Sequence, residues 1–222
     1  MSSDDSPNPR GPVQGLRSPA VPGQKSPLRT ATEGYDVEPC LSRVVAAVDR
    51  AEAALDRVLL LAVDGPAGSG KTSLAEALAA RLAYRGSTVT ILHMDDLYEG
   101  WSGLDVTLEE RILDQVLRPL ASGVPGRWQA YDWEAGRFDQ WHEVEPPDVL
   151  ILEGCGSGAA RYAPYTSLLV WLEADPATRI ARGIARDGEE VRTDWLGWME
   201  LESSYFATNR TAQRADLSCR TD

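Results

Sequence analysis

A lysine, two hydroxyls and a set of glycines stand together at residues 65–73, GPAGSGKTS, in the spacing of a loop that holds phosphate. Gly65, Gly70, Lys71 and Thr72 meet G-x-x-x-x-G-K-[ST], with Pro66, Ala67, Gly68 and Ser69 forming the turn between them and Ser73 following. The chemistry accounts for each residue type. Glycines let the backbone curl until successive N–H groups face phosphate oxygens. Lys71 offers a mobile cation to the β- and γ-phosphates, and Thr72 offers a hydroxyl to Mg²⁺. ATP with Mg²⁺ is the ligand pair this pattern implies. Two further clusters could act on it. Met94-Asp95-Asp96-Leu97-Tyr98 and Glu153 supply carboxylates that can take a proton from an attacking hydroxyl or hold the metal. Asp95 is the candidate base and Glu153 the candidate on the metal side, although the residues alone leave open which of Asp95, Asp96 and Glu153 meets the metal. Arg179, Arg182 and Arg186 recur at i, i+3 and i+7, one helical face, and suggest phosphate contact from a closing lid at about 182–194.

These residues need elements to position them. Val58 to Val63 is an unbroken apolar run, the pattern of a buried parallel strand, and a helix begins near Lys71. That helix continues to Arg85 and is closed by Gly86. Strands are expected at Thr88–His93, Asp148–Leu152, Leu168–Leu172 and Ala215–Cys219. Helices are expected at Val37–Asp56, from a Thr107 cap to about Ala121, from Pro176, and from Thr193 to about Asn209. Residues 123–147 are mixed and aromatic. Strands alternating with helices imply an α/β fold, a parallel sheet with helices on both faces in three layers. In such sheets ligands gather at the carboxyl ends of the strands, where the loop, Asp95 and Glu153 all fall.

Composition narrows the class. At 222 residues, one domain over 36–222 is expected, preceded by a tail at 1–35 that carries six prolines with many serines and glycines and reads as disordered. A net charge of -12 argues against nucleic-acid and membrane-surface partners, which both need a basic face. Cys40, Cys155 and Cys219 are far apart, odd in number and lack metal-ligand spacing, so reduced thiols in a cytoplasmic protein are expected. His93 and His142 look isolated, and Trp195 and Trp198 look like core residues. No N-K-x-D for guanine is present, and nothing resembles the machinery of a motor ATPase. Composition leaves the oligomeric state open.

The chain resembles the uridine kinase and phosphoribulokinase group of P-loop kinases over roughly residues 58–219. The resemblance rests on GPAGSGKTS, MDDLY, Tyr131-Asp132-Trp133, DVLILEG, the E-A-D-x-x-x-R-x-x-R of 173–182, and Arg214-Ala215-Asp216. It implies a P-loop kinase fold and transfer of the ATP γ-phosphate to a hydroxyl of a small acceptor such as a nucleoside. Asp95 matches the family's base, Tyr98 its tyrosine, Tyr131 and Trp133 its acceptor pocket, Glu153 the acidic residue after the third strand, and Arg182 its lid arginine. Two departures fall on the acceptor side. The family's base-reading histidine is replaced by Gly136, and its ribose-holding segment is not met, with Gly103-Leu104-Asp105 in the place it would occupy. Poor or unselective use of uridine follows as an expectation.

The composition of the tail generates a test. Deleting residues 1–33 is expected to leave melting temperature and turnover nearly unchanged, because that stretch has little apolar surface to bury. A large drop in melting temperature on truncation would contradict it.

Overall fold

The computed structural model describes residues 36–222; the tail expected at 1–35 lies outside the described residues. Five strands form a parallel sheet: β1 (Leu59–Asp64), β2 (Val89–His93), β5 (Val149–Glu153), β6 (Leu168–Glu173) and β7 (Leu217–Arg220), in the order β2-β5-β1-β6-β7. Helices cover both faces. Alternate residues of each strand point to opposite sides, so Leu61, Val63 and Ile151 pack against α1 (Glu38–Val48) and α2 (Lys71–Tyr84). Leu60, Leu150 and Leu152 pack the other way, into the core that holds α3 (Val106–Ile112) and α6 (Arg192–Asn209). Leu60, Leu61, Leu74 and Leu78 are fully buried, and each such side chain stabilises the fold by roughly 1.5–3 kcal/mol. The remaining helices are α4 (Arg118–Ala121), α5 (Pro176–Asp187) and α7 (Thr211–Arg214). Among the described residues no helix is long and apolar enough to cross a membrane.

Register explains why the candidate site assembles. β5 lies between β2 and β1, and Glu153 at its end is in register with His93 on one side and Val63 on the other. Three adjacent strands therefore end in one row, and the phosphate loop, Asp95 and Glu153 emerge side by side. The loop itself is tight. Gly65 has φ 147° and a Cβ there would stand 2.0 Å from the Leu172 carbonyl oxygen, so only glycine fits.

Several expectations are corrected. The first helix stops at Val48 instead of continuing to Asp56: the Ala54 N–H is drawn to Ser167 Oγ (3.1 Å), and Leu55 and Val58 pair in a tight turn with Asp56 at φ 53°. The helix expected from Thr107 is capped two residues earlier, where Asp105 accepts from the Leu108 N–H at 2.9 Å, so Asp105 is engaged in capping. A π-helical turn, Leu113–Leu117, separates α3 from α4. The aromatic stretch is an antiparallel hairpin, β3 (Gly126–Asp132) and β4 (Arg137–Val144). Its turn is closed by Asp132, whose Oδ1 accepts from the Glu134 and Ala135 N–H groups, and by Gly136 at φ 64°. The cysteines are not all thiols: Cys40 and Cys219 form a disulfide, leaving Cys155 free and buried. Their 179-residue separation gave no hint, because the sheet brings β7 under α1, where Arg43 also donates to the Ser218 carbonyl at 3.1 Å.

The cap gives a measurable consequence. Asp105→Ala is expected to cost about 1 kcal/mol in urea unfolding, the usual value of an N-cap. A loss within error of zero would mean that the cap adds nothing to the fold.

Candidate active site

Lys71 opens α2 and lines a cavity together with Thr72, Asp95, Glu153, Arg186 and Trp198. Its Nζ donates to the Pro66 carbonyl at 3.0 Å and lies 3.7 Å from Cys155 Sγ. Burial opposes the ammonium charge, but Cys155, Glu202, Glu153 and Asp95 around it outweigh that, and the pKa stays above its ordinary value. Thr72 Oγ1 is 3.4 Å from each carboxylate oxygen of Glu153, and Glu153 also pairs with His93 Nδ1. Asp95 sits on a short 3₁₀ turn, Met94–Asp96, directly after β2, with the Trp133 indole donating to its carbonyl at 3.1 Å. Burial, then the neighbouring charge of Glu153, lifts the Asp95 carboxyl to about 7, against the pull of Lys71 and Arg186. Asp64 is lifted by burial to about 6, although the Gly65, Gly156 and Gly158 N–H groups donate to it at 2.7, 3.0 and 2.8 Å.

The residues fit a triphosphate and a hard cation. Gly70 caps α2 in the left-handed region and brings no side-chain cap to its first turn, whose N–H groups have no helical carbonyl to receive them. Ser69 Oγ, in the loop, is buried without a partner. Thr72 and Glu153 offer oxygen donors of the kind Mg²⁺ prefers. Among the described residues no cluster of three or more His, Cys, Asp or Glu could hold a metal unaided. A cation here would share its shell with phosphate oxygens and water, the ordinary arrangement for Mg²⁺ beside a triphosphate.

A family model described as an AAA domain matches residues 61–214. A uridine kinase of Latilactobacillus sakei is 30% identical over 147 residues, covering 59% of this chain and 67% of that protein. A cytidylate kinase of Pseudomonas aeruginosa is 30% identical over 163 residues, covering 71% and 67%. The chain belongs to this P-loop family, on its uridine kinase-like branch. The fold of this P-loop kinase agrees. A possible uridine kinase from Bacillus stearothermophilus superposes with a TM-score of 0.62 at 22% identity, over 82% of this chain and 98% of that one. D-glycerate 3-kinase from Cryptococcus neoformans superposes at 0.51 and 16% identity, over 76% and 87%.

The kinase fold gathers some of the expected residues and disperses others. Lys71, Thr72, Asp95, Glu153 and Arg186 share the cavity. Arg182 stands behind the loop instead, donating to the Gly68 carbonyl at 3.2 Å and to the Thr221 hydroxyl and carbonyl at 3.0 and 2.7 Å. Tyr98 is fully buried, with its hydroxyl donating to the Cys155 carbonyl at 2.7 Å and its ring against Trp198. Tyr131 and Trp133 meet edge to face, and Trp101 bridges Trp133 to Trp198, giving an aromatic wall beside Asp95. Sequence reasoning gave no role to Cys155 or Glu202, and it read His93 as isolated, whereas His93 pairs with Glu153 because their strands lie in register. His93 was findable, since it ends the strand that precedes Asp95. Trp198 was read as core alone, yet it is both buried and at the cavity wall.

The lifted Asp95 carboxyl sets a pH dependence in the ligand-free kinase. Its folded pKa, about 7, exceeds the 3.8 of the free side chain. Its contribution to stability is therefore full below about pH 4 and is lost as pH rises through about 7. Asn does not titrate. The melting-temperature difference between Asp95→Asn and wild type is expected to grow in the variant's favour from pH 4 to 7 and to level off above that. A difference that stays flat over this range would show that Asp95 is not perturbed.

Proposed function

We propose that this protein is an ATP-dependent phosphotransferase that moves the γ-phosphate to a hydroxyl of a nucleoside or another small molecule of that size. Asp95 carries the reading: a buried carboxylate at the end of β2, lining one cavity with Lys71 and Thr72, with its pKa near 7. A general base works best when its pKa lies near the working pH. Asp95 would take the proton as the acceptor oxygen attacks. Lys71 and Arg186 would set positive charge where the transferring phosphoryl group gathers negative charge, and the first-turn N–H groups of α2 would orient the phosphates. Bound Mg²⁺ would neutralise charge across the phosphate oxygens, with Thr72 and Glu153 as the residues to hold it.

On the acceptor side, Tyr131, Trp133 and Trp101 offer flat faces next to the base, and stacking tolerates many rings. Gly136 brings no polar reader, so strong preference for uridine is not part of the proposal. Residues 182–194 span the end of α5, a 3₁₀ turn and the start of α6, and would act as the lid that carries Arg186 to the phosphates. A nucleoside monophosphate as acceptor is the second reading, favoured by the likeness to cytidylate kinase.

Acceptor-dependent ADP release in Mg²⁺·ATP tests the proposal against uridine, cytidine, adenosine, cytidine monophosphate and ribose. Wild type is expected to release ADP faster with at least one acceptor. Asp95→Asn should lower kcat by roughly 10²-fold with ATP affinity little changed, and Lys71→Ala should weaken ATP binding or abolish transfer. Slow hydrolysis that no acceptor stimulates would point to a nucleotide-dependent switch.

A further inference from the structure

Glu202 lies 131 residues beyond Lys71, on α6, yet it is 2% exposed and reaches the phosphate loop. Its Oε2 accepts from the Ala67 N–H at 2.8 Å and from the Cys155 thiol at 3.4 Å. Its Oε1 accepts from Arg179 Nη1 at 2.8 Å, and the same nitrogen lies 3.4 Å from the Ala67 carbonyl. The peptide groups of Ala67 are thus held at both ends, the N–H by α6 and the C=O by α5. The next residue is held as well. The Gly68 carbonyl accepts from Arg182, and a Cβ on Gly68 would stand 2.7 Å from the Arg179 backbone oxygen, so α5 packs directly on the loop.

This grip falls on one arm of the loop only. Ala67 and Gly68 belong to the arm leaving β1, whereas the donors that open α2 begin at Gly70 on the opposite arm. A carboxylate on Ala67 therefore leaves the helix N-terminus to a phosphate and fixes the curl from the far side. The helices that hold the arm, α5 and α6, are those that contribute the two ends of residues 182–194.

From this geometry we propose that Glu202, with Arg179, is a positioning residue for nucleotide binding: the pair fixes the outer arm of the phosphate loop in its phosphate-receiving curl and couples it to the two helices that run into the 182–194 segment. The inference rests on the phosphotransferase reading, since it supposes that the loop takes a triphosphate. A bare stabilising ion pair would affect folding alone. A positioning pair affects the affinity of the loop even where the fold is restored.

The test separates these with two variants and a fluorescent, non-hydrolysable ATP analogue with Mg²⁺ as probe. Glu202→Gln keeps the shape and the acceptor for Ala67 but removes the charge facing Arg179. It is expected to weaken probe binding roughly 10-fold, with kcat at saturating ATP within a few-fold of wild type. Arg179→Met combined with Glu202→Leu replaces the buried pair by apolar groups, a change that is often neutral for stability, although here it leaves the Ala67 N–H without its acceptor. At a temperature where the double variant is fully folded, it should bind the probe roughly 10-fold or more weakly than wild type. Wild-type affinity in the folded double variant would overturn the proposal, as would wild-type affinity in Glu202→Gln. Tighter binding in either variant would also overturn it, because the carboxylate would then be competing with phosphate. A wild-type protein that does not bind the probe would remove the nucleotide reading and this inference with it; the other failures leave that reading standing.

Discussion

Four carboxylates, Asp64, Asp95, Glu153 and Glu202, are buried around the ammonium of Lys71, and the architecture of the site follows from keeping that arrangement tolerable. A desolvated charge is costly unless it is paired and hydrogen-bonded. Asp64 is held by three backbone N–H groups, Glu202 by Ala67 and Arg179, and Glu153 by His93 and Thr72. Asp95 bears both the desolvation and the charge of Glu153, and its carboxyl rises to about 7, against about 6 for Asp64. Of these two, Asp95 is the better suited to gain a proton.

The fold imposes this arrangement through strand order. With β5 between β2 and β1, Glu153 cannot avoid the company of His93 and the phosphate loop. A sheet in which β2 and β1 were neighbours would place Asp95 against the loop with no second carboxylate between them; its pKa would lose the smaller of its two upward pushes, while burial would keep it raised. Strand order thus adds the charge of Glu153 to the effect of burial. Glycines do the rest: Gly65 passes beneath the Leu172 carbonyl and Gly68 beneath α5, so the loop is packed between the sheet and the helices that flank it.

The sequence made the phosphate loop, the parallel strands and the place of Asp95 legible, because each is a local pattern. An apolar run, a glycine spacing and an acidic pair after a strand do not depend on what lies far away. Contacts between distant segments were not legible. Arg179, Arg182 and Arg186 share one helical face, but a face does not say which turn reaches the cavity. At 1.5 Å per residue the last of them lies roughly 10 Å along the axis from the first, so the first two meet the back of the loop and Arg186 lines the cavity. The Glu202 contact and the Cys40–Cys219 disulfide are likewise products of packing between elements remote in sequence. Tyr98 matched a motif and still became core, since Trp198 and the Cys155 carbonyl enclose it.

The acceptor end follows from the hairpin turn. Gly136, the position the family resemblance sets against a base-reading histidine, has φ 64°, and the turn Asp132–Gly136 closes by donation of the Gly136 N–H to the Asp132 carbonyl at 2.7 Å. A side chain there would have open space, its nearest neighbour being the Tyr131 hydroxyl at 3.9 Å, but it would be strained by the left-handed backbone. Discrimination by a polar group at this position is therefore opposed by the backbone itself. On the proposed reading it would shift to the aromatic wall of Tyr131, Trp133 and Trp101, with Trp133 fixed by its bond to the Asp95 carbonyl. One indole both lines that wall and holds the turn that carries Asp95, so on the same reading the shape of the acceptor and the placement of the base would be linked. On the proposed reading, selectivity in this protein would register in turnover as well as in binding, since an acceptor that displaces Trp133 also displaces the residue that must take its proton.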